Sequence, residues 1–268
     1  MSHSLITVTV QEMYGYPLLN EAELDAALSQ SLNPRSPELL LEKMAALDLP
    51  QAPHILDAGC RDGRYSVRLA EQLNAHVHGA DLVMANLGRR KKPAPAAVSY
   101  SQADLQQLPL KTAVFDAIFC RDVLGHIPDL TATFREFARL LKPNGHLLIY
   151  STFATPLLHP DEAAQVLPAL ATANEGMSAQ LVEETAVLAG FTLREKDIVG
   201  SEWREYWEEN GERRTSQQLL LISRMRRNRE ALIAQIGETD YAIELANALW
   251  GVYQMLGKLE PTIYLFQK

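Results

Sequence analysis

The stretch "ILDAGCRDGRYSV", from Ile55 to Val67, decides how the rest of the chain is read. It reads as a strand, a glycine loop and the start of a helix. A loop of that kind holds a ligand beyond the carboxyl end of a parallel strand. Gly59 and Gly63 stand where such a loop turns, with Arg61 and Asp62 between them. A dinucleotide loop, G-x-G-x-x-G, brings bare backbone against a pyrophosphate. Arg61 occupies the place where a middle glycine is often found. That disfavours a pyrophosphate and leaves room for a cofactor without one. Asp57, at the strand end, points to where a cofactor lies, and Asp62 is placed to cap the following helix.

Outward from this loop, strands and helices alternate. "HVHGADL" reads as a second strand, "VSYSQADL" as a third, "FDAIFCRDVL" holds a fourth and "GHLLIYSTF" is a fifth. Between the last two lies an amphipathic helix, "LTATFREFARLLKP", which the pattern stops at Pro143 and the Asn144-Gly145 turn. The alternation predicts an α/β fold, a Rossmann-like parallel sheet with helices on both faces. "FTLREKDIV" and the terminal "PTIYLFQK" add two strands, the last antiparallel. The expected organisation is a helical N-terminal lid over 1–50, a cofactor-binding core over 51–199, a helical insertion capping the acceptor over 200–258, and a final core strand over 259–268.

Composition narrows the function. The chain has 268 residues, 47% of them hydrophobic, and a formal net charge of -8. The acidic balance argues against generic nucleic-acid binding. "GRRKK" (Gly88 to Lys92) and "RMRRNR" (Arg224 to Arg229) read as a solvated loop and an exposed helix face. No apolar run is long enough to span a membrane, and the first residues do not read as a signal peptide. Cys60 and Cys120 make neither a disulfide framework nor a zinc motif. The expectation is a cytoplasmic protein with no metal, no membrane and no nucleic-acid partner.

Five ordered segments carry a resemblance: "LDAGCRDG", "GADL", "ADLQQLPL", "DVLGHIPD" and "LLKPNGHLLI". Together they are similar to the class I S-adenosylmethionine (SAM)-dependent methyltransferases, over roughly Ile55 to Phe153 and the last two strands. The resemblance implies SAM as cofactor and S-adenosylhomocysteine as product. It places Gly59, Cys60 and Gly63 in the loop around the methionine part and Asp57 near the ammonium group. Asp81 matches the ribose-binding acid and Leu82 its apolar neighbour. Asp104 and Leu105 match the adenine contacts, and Arg121 falls near the sulfonium. The chain departs from the family pattern at Arg61, Asp122 and Gly125. Cys60 also reads as a small buried filler.

For catalysis the candidates are His126 and Asp122. His126 follows the fourth strand end and can act as a general base. The favoured competing reading is a helix-start histidine that packs and hydrogen-bonds, since methyl transfer needs mainly alignment. Gly125 is expected to widen the space beside it. Acceptor contacts are expected from the insertion (Glu202, Trp203, Tyr206, Trp250, Tyr253) and from Tyr16, with Tyr14 reaching the cofactor. Packing of an inserted helical pair is the competing reading for the aromatic residues. The functional expectation is methylation of a small molecule at O, N or C in a lidded pocket. A catalytically silent SAM-binding regulator is the alternative, and an NAD-dependent dehydrogenase is disfavoured by Arg61.

Overall fold

The computed structural model describes residues 7–15, 26, 34–87 and 95–268. The chain divides into two units, Met1–Pro34 and Arg35–Lys268. In the first, helix α1 (Val10–Gly15) is described, and Thr9 caps it by exchanging hydrogen bonds with Glu12. The second unit begins with α2 (Leu39–Ala45), whose Leu40, Leu41 and Met44 are buried in the core. This helix therefore belongs to the larger unit and not with the first 34 residues.

β1 (His54–Ala58) leads through the glycine loop into α3 (Arg64–Leu73), followed by β2 (His76–Asp81), α4 (Met84–Leu87), β3 (Val98–Gln102) and β4 (Phe115–Arg121). Then come α5 (Leu130–Leu140), β5 (Leu141–Ala154), α6 (Pro160–Val166), α7 (Ala179–Leu188) and β6 (Thr192–Ile198). The excursion before β7 (Leu259–Gln267) is helical: α8 (Glu202–Glu209), α9 (Arg214–Arg227), α10 (Arg229–Ile236) and α11 (Glu238–Met255). The seven strands form one sheet in the order β3-β2-β1-β4-β5-β7-β6. β7 runs antiparallel to both neighbours, and the β3-to-β5 pairings are parallel. Among the described residues no helix is long and apolar enough to cross a membrane.

Side chains alternate across a strand, so a sheet covered on both faces must bury both sets. Leu56 and Ala58 pack into one core, and Ile55 into the other. Ile118 and Cys120 share the first, and Ala117 and Phe119 the second. A third core, around Leu245, Leu249 and Tyr253 of α11, holds the inserted helices together.

One local difference has a clear cause. α5 ends at Leu140, before Pro143, because Leu141 is extended and pairs with Phe115 of β4. The Pro143-Asn144-Gly145 turn sits inside β5 as an irregularity, after which Ala117 pairs with His146.

Candidate functional site

The glycine loop is a closed hydrogen-bonding system. The amides of Gly59 and Cys60 both donate to the Ala80 carbonyl, at 2.8 and 3.0 Å. Arg61 donates its amide to Asp81 Oδ2 at 2.8 Å, Gly63 to the Cys60 carbonyl at 2.8 Å, and Arg64 to Asp62 Oδ1 at 3.3 Å. These amides therefore face the protein, whereas a pyrophosphate loop must present free ones. Gly59 has φ 75°, and a Cβ there would lie 2.2 Å from Val123 Cγ2. Gly59→Ala combines a disfavoured left-handed backbone with a clash against a stiff β-branched side chain. It should cost about 1–3 kcal/mol of stability, measured by denaturant unfolding. An unchanged midpoint and slope would show that the loop tolerates the extra methyl.

Two carboxylates flank the loop. Asp57 is buried and accepts a 2.5 Å bond from Ser66 Oγ in the first turn of α3. Burial, with a further push from Asp81, raises its carboxyl from the ordinary 3.8 to about 7, against the pull of Ser66 and Arg121. Between those two values the folded protein holds a proton that the unfolded chain releases. That contribution to stability is complete below the unfolded pKa and is lost as pH rises through the folded one. Asp57→Asn should therefore melt above the wild type at about pH 8, with the gap closing toward about pH 4. An equal gap at both ends would remove Asp57 as its source.

Asp81, at the end of β2, is 8% exposed. Besides Arg61, it accepts the Val83 amide on Oδ1 at 2.8 Å and the Asn86 side-chain amide at 3.3 Å. A carboxylate has about four lone-pair sites, so one further donor can approach. Leu82 and Val83 beside it are 63% and 50% exposed, an apolar surface at the rim. At the end of β3, Leu105 is buried, and the exposed Asp104 accepts the Gln106 amide at 2.9 Å.

Beyond β4 the floor is polar. The Arg121 guanidinium lies 4.8 Å from the Tyr65 ring and 5.7 Å from the Tyr150 ring, and 3.4 Å from the Asp122 carboxylate. Its Nε is buried without a partner among the described residues. Asp122 sits at φ 54°, with its amide donated to the Tyr150 carbonyl at 2.9 Å. Its side chain is 43% exposed, yet the protein crowded around it raises its carboxyl pKa against the pull of Arg121, His126 and Arg204. His126, exposed in a short 3-10 turn, has Nδ1 3.2 Å from the Ala171 carbonyl oxygen. That bond places the proton on Nδ1 in the neutral ring and leaves Nε2 as an acceptor.

The structure brings Asp57, Gly59, Cys60, Gly63, Asp81 and Leu82 together around the β1 loop, and Arg121, Asp122 and His126 beyond β4. Several expected acceptor contacts fall elsewhere. Glu202 forms a two-pronged pair with Arg35, at 2.6 and 2.8 Å. Trp203 is 3% exposed and stacks on Tyr150 at 4.5 Å, inside a sheet core. Tyr253 and Trp250 belong to the core of the inserted helices, and Tyr206 is partly buried on α8. Gly125 faces Thr172 and Met177, at 3.4 and 3.9 Å from a built Cβ, so it packs against the 172–177 segment. Tyr14 lies in α1 of the first unit; Tyr16 and the "GRRKK" loop lie outside the described residues. Sequence reasoning missed Ser66 and Tyr65, although both stand in the first turn after the loop, and it missed Arg204, next to Trp203.

These features suit SAM. The amides of Gly59, Cys60, Arg61 and Gly63 are taken by the protein, while Asp57, Asp81 and the exposed Leu82 and Val83 offer two acids and an apolar rim. The methyltransferase domain family matches residues 56–149. A wheat (Triticum aestivum) phosphoethanolamine N-methyltransferase is 29% identical over 214 residues, covering 76% of this chain and 38% of that enzyme. A ubiquinone biosynthesis O-methyltransferase of Xanthomonas oryzae pv. oryzae is 37% identical over 116 residues, covering 42% of this chain and 48% of that one. This chain thus spans less than half the length of either relative. Haemonchus contortus phosphoethanolamine N-methyltransferase 2, solved with phosphomonomethylethanolamine and S-adenosylhomocysteine, superposes with a TM-score of 0.61 at 20% identity, over 85% of this chain and 51% of that one. From the sheet order, the loop and the matched residues, residues 56–149 form a methyltransferase domain in a sheet with the Rossmann-like fold of the class I, SAM-dependent methyltransferases.

Proposed function

We propose that the protein methylates a small molecule held beyond the carboxyl ends of β4 and β5, under the inserted helices. The observation that supports this most is the gathering of Arg121, Asp122 and His126 at the end of β4, with Arg204 of α8 acting on the same Asp122. Ligands of open parallel sheets bind at that end. The relatives named above carry small molecules in their names, phosphoethanolamine and ubiquinone. The net charge of -8 suits a soluble metabolite better than a nucleic acid. Cys120 is a buried thiol, which suits a reducing compartment such as the cytoplasm.

SAM, when bound, supplies a methyl group made electrophilic by its sulfonium. The chain's own work is to orient and to manage protons. Asp57, once ionised, would attract the cofactor's ammonium, and Asp81 would accept from a ribose hydroxyl. The Tyr65–Arg121–Tyr150 stack fixes the floor and holds Asp122 in place. His126 Nε2 is the free acceptor for a proton leaving an O, N or C nucleophile. The test is transfer of tritium from methyl-labelled SAM into a metabolite extract, with calorimetry on SAM, S-adenosylhomocysteine and NAD alongside. Tight SAM binding with no labelled product from any extract would favour a silent SAM-binding protein.

A further inference from the structure

We propose that Arg204 anchors an anionic oxygen group of the acceptor, a carboxylate or a phosphate, at the Asp122 side of the site. This deepens the reading above and rests on it. The argument is one of missing charge. Arg35, Arg121 and Arg139 each pair with a carboxylate: Arg35 with Asp197 and Glu202, Arg121 with Asp122, Arg139 with Glu136. Arg204 is partly buried like these, but among the described residues it has no acidic partner in a salt bridge. Its Nε donates to Gln254 Oε1 at 2.8 Å and its Nη1 to Gln218 Oε1 at 3.2 Å, both neutral amides. The nearby acids are engaged elsewhere. Glu208 accepts from the Thr215 amide and the Ser216 hydroxyl, each at 2.6 Å, and Glu205 from the Ser201 hydroxyl at 2.5 Å.

The arrangement is built, not incidental. Gln254 is buried on α11 and donates its Nε2 to Thr152 Oγ1 of β5 at 3.2 Å, tying the arginine to the sheet end. Gly251, one turn earlier, is the residue that admits the pair. A Cβ there would lie 2.0 Å from Gln218 Oε1 and 2.7 Å from Arg204 Nη1. Trp207 lies beneath, with the Arg204 guanidinium 5.3 Å and that of Arg214 4.0 Å from its ring. Asp122 cannot neutralise both of its arginines, since it is in contact with Arg121. A guanidinium held in a polar frame and left without a counter-ion binds oxyanions strongly, because its remaining N–H groups match their geometry. The burial that lowers the Arg204 pKa is the cost that an incoming anion would relieve.

The test uses the full chain loaded with S-adenosylhomocysteine and titrated with sodium phosphate or sodium acetate at constant ionic strength, followed by calorimetry. The wild type should bind one of them with a Kd of about 1–20 mM, phosphate for a phosphorylated acceptor and acetate for a carboxylated one. Arg204→Gln should weaken that binding at least tenfold, and Arg204→Lys less. Gln254→Glu places the missing counter-ion on the guanidinium in nearly the same shape. It should melt higher than the wild type and lose anion binding, with S-adenosylhomocysteine affinity within about twofold. It also serves if Arg204→Gln does not fold. No binding of either anion by the wild type at about 100 mM, or wild-type binding by Gln254→Glu, overturns the assignment. Failure to bind S-adenosylhomocysteine at all would instead strike the functional reading beneath it.

Discussion

Replacing Asp81 by alanine should weaken SAM binding by about 2–4 kcal/mol, roughly 30-fold to 10³-fold. Two effects combine. A ribose hydroxyl loses its charged acceptor, and hydrogen bonds to charged groups are the stronger kind. The loop also loses its clamp. Asp81 Oδ2 accepts the amide of Arg61, a non-glycine residue held at φ 50°. Without that bond a left-handed conformation has little to maintain it, and the cofactor must order the loop as it binds. Asp81→Asn separates the two, because it keeps one oxygen for Arg61 but loses the charge, and its affinity should fall between the others. The measurement is calorimetric titration with SAM. Affinity for Asp81→Ala within twofold of the wild type removes Asp81 from the cofactor site.

Much of the cofactor half is written locally, which is why it can be read in one dimension. Gly59 and Gly63 are demanded by positive φ, a constraint local to the turn after β1, and the approach of Val123 and Tyr100 reinforces it. Asp57 and Asp81 sit near the carboxyl ends of neighbouring strands, Asp81 two residues beyond Gly79, the partner of Asp57. The acceptor half is set by partners far along the chain. Glu202 is taken by Arg35, 167 residues away, and no spacing rule announces that. Trp203, Tyr206 and Trp207 share a helix at a spacing that predicts one face but not what the face meets. The structure puts Trp203 on Tyr150 in the sheet core. The insertion is therefore wedged into the core through α8, and its aromatic content reflects packing more than recognition. Arg204 was invisible for the converse reason: a single arginine among acids reads as a solvated ion pair until its neighbours prove to be amides.

His126→Ala should lower the methyl-transfer rate about 10²–10⁴-fold if the imidazole takes the acceptor's proton. SAM affinity should stay intact, because the ring stands beyond β4 and the cofactor contacts assigned above gather at β1 and β2. The Ala171 carbonyl, 3.2 Å from Nδ1, fixes the tautomer with Nε2 as the acceptor. His126→Gln is the informative companion. Its amide can still hydrogen-bond but cannot carry away a proton, so a base predicts both variants slow and an orienting role predicts that glutamine recovers much of the rate. The readout is initial tritium transfer under saturating SAM. A loss of under about tenfold in the alanine variant would mean that alignment alone suffices and that His126 serves the fold through Ala171. Asp122→Asn would then become the decisive variant. It keeps the left-handed turn that asparagine tolerates and removes only the charge beside the two arginines.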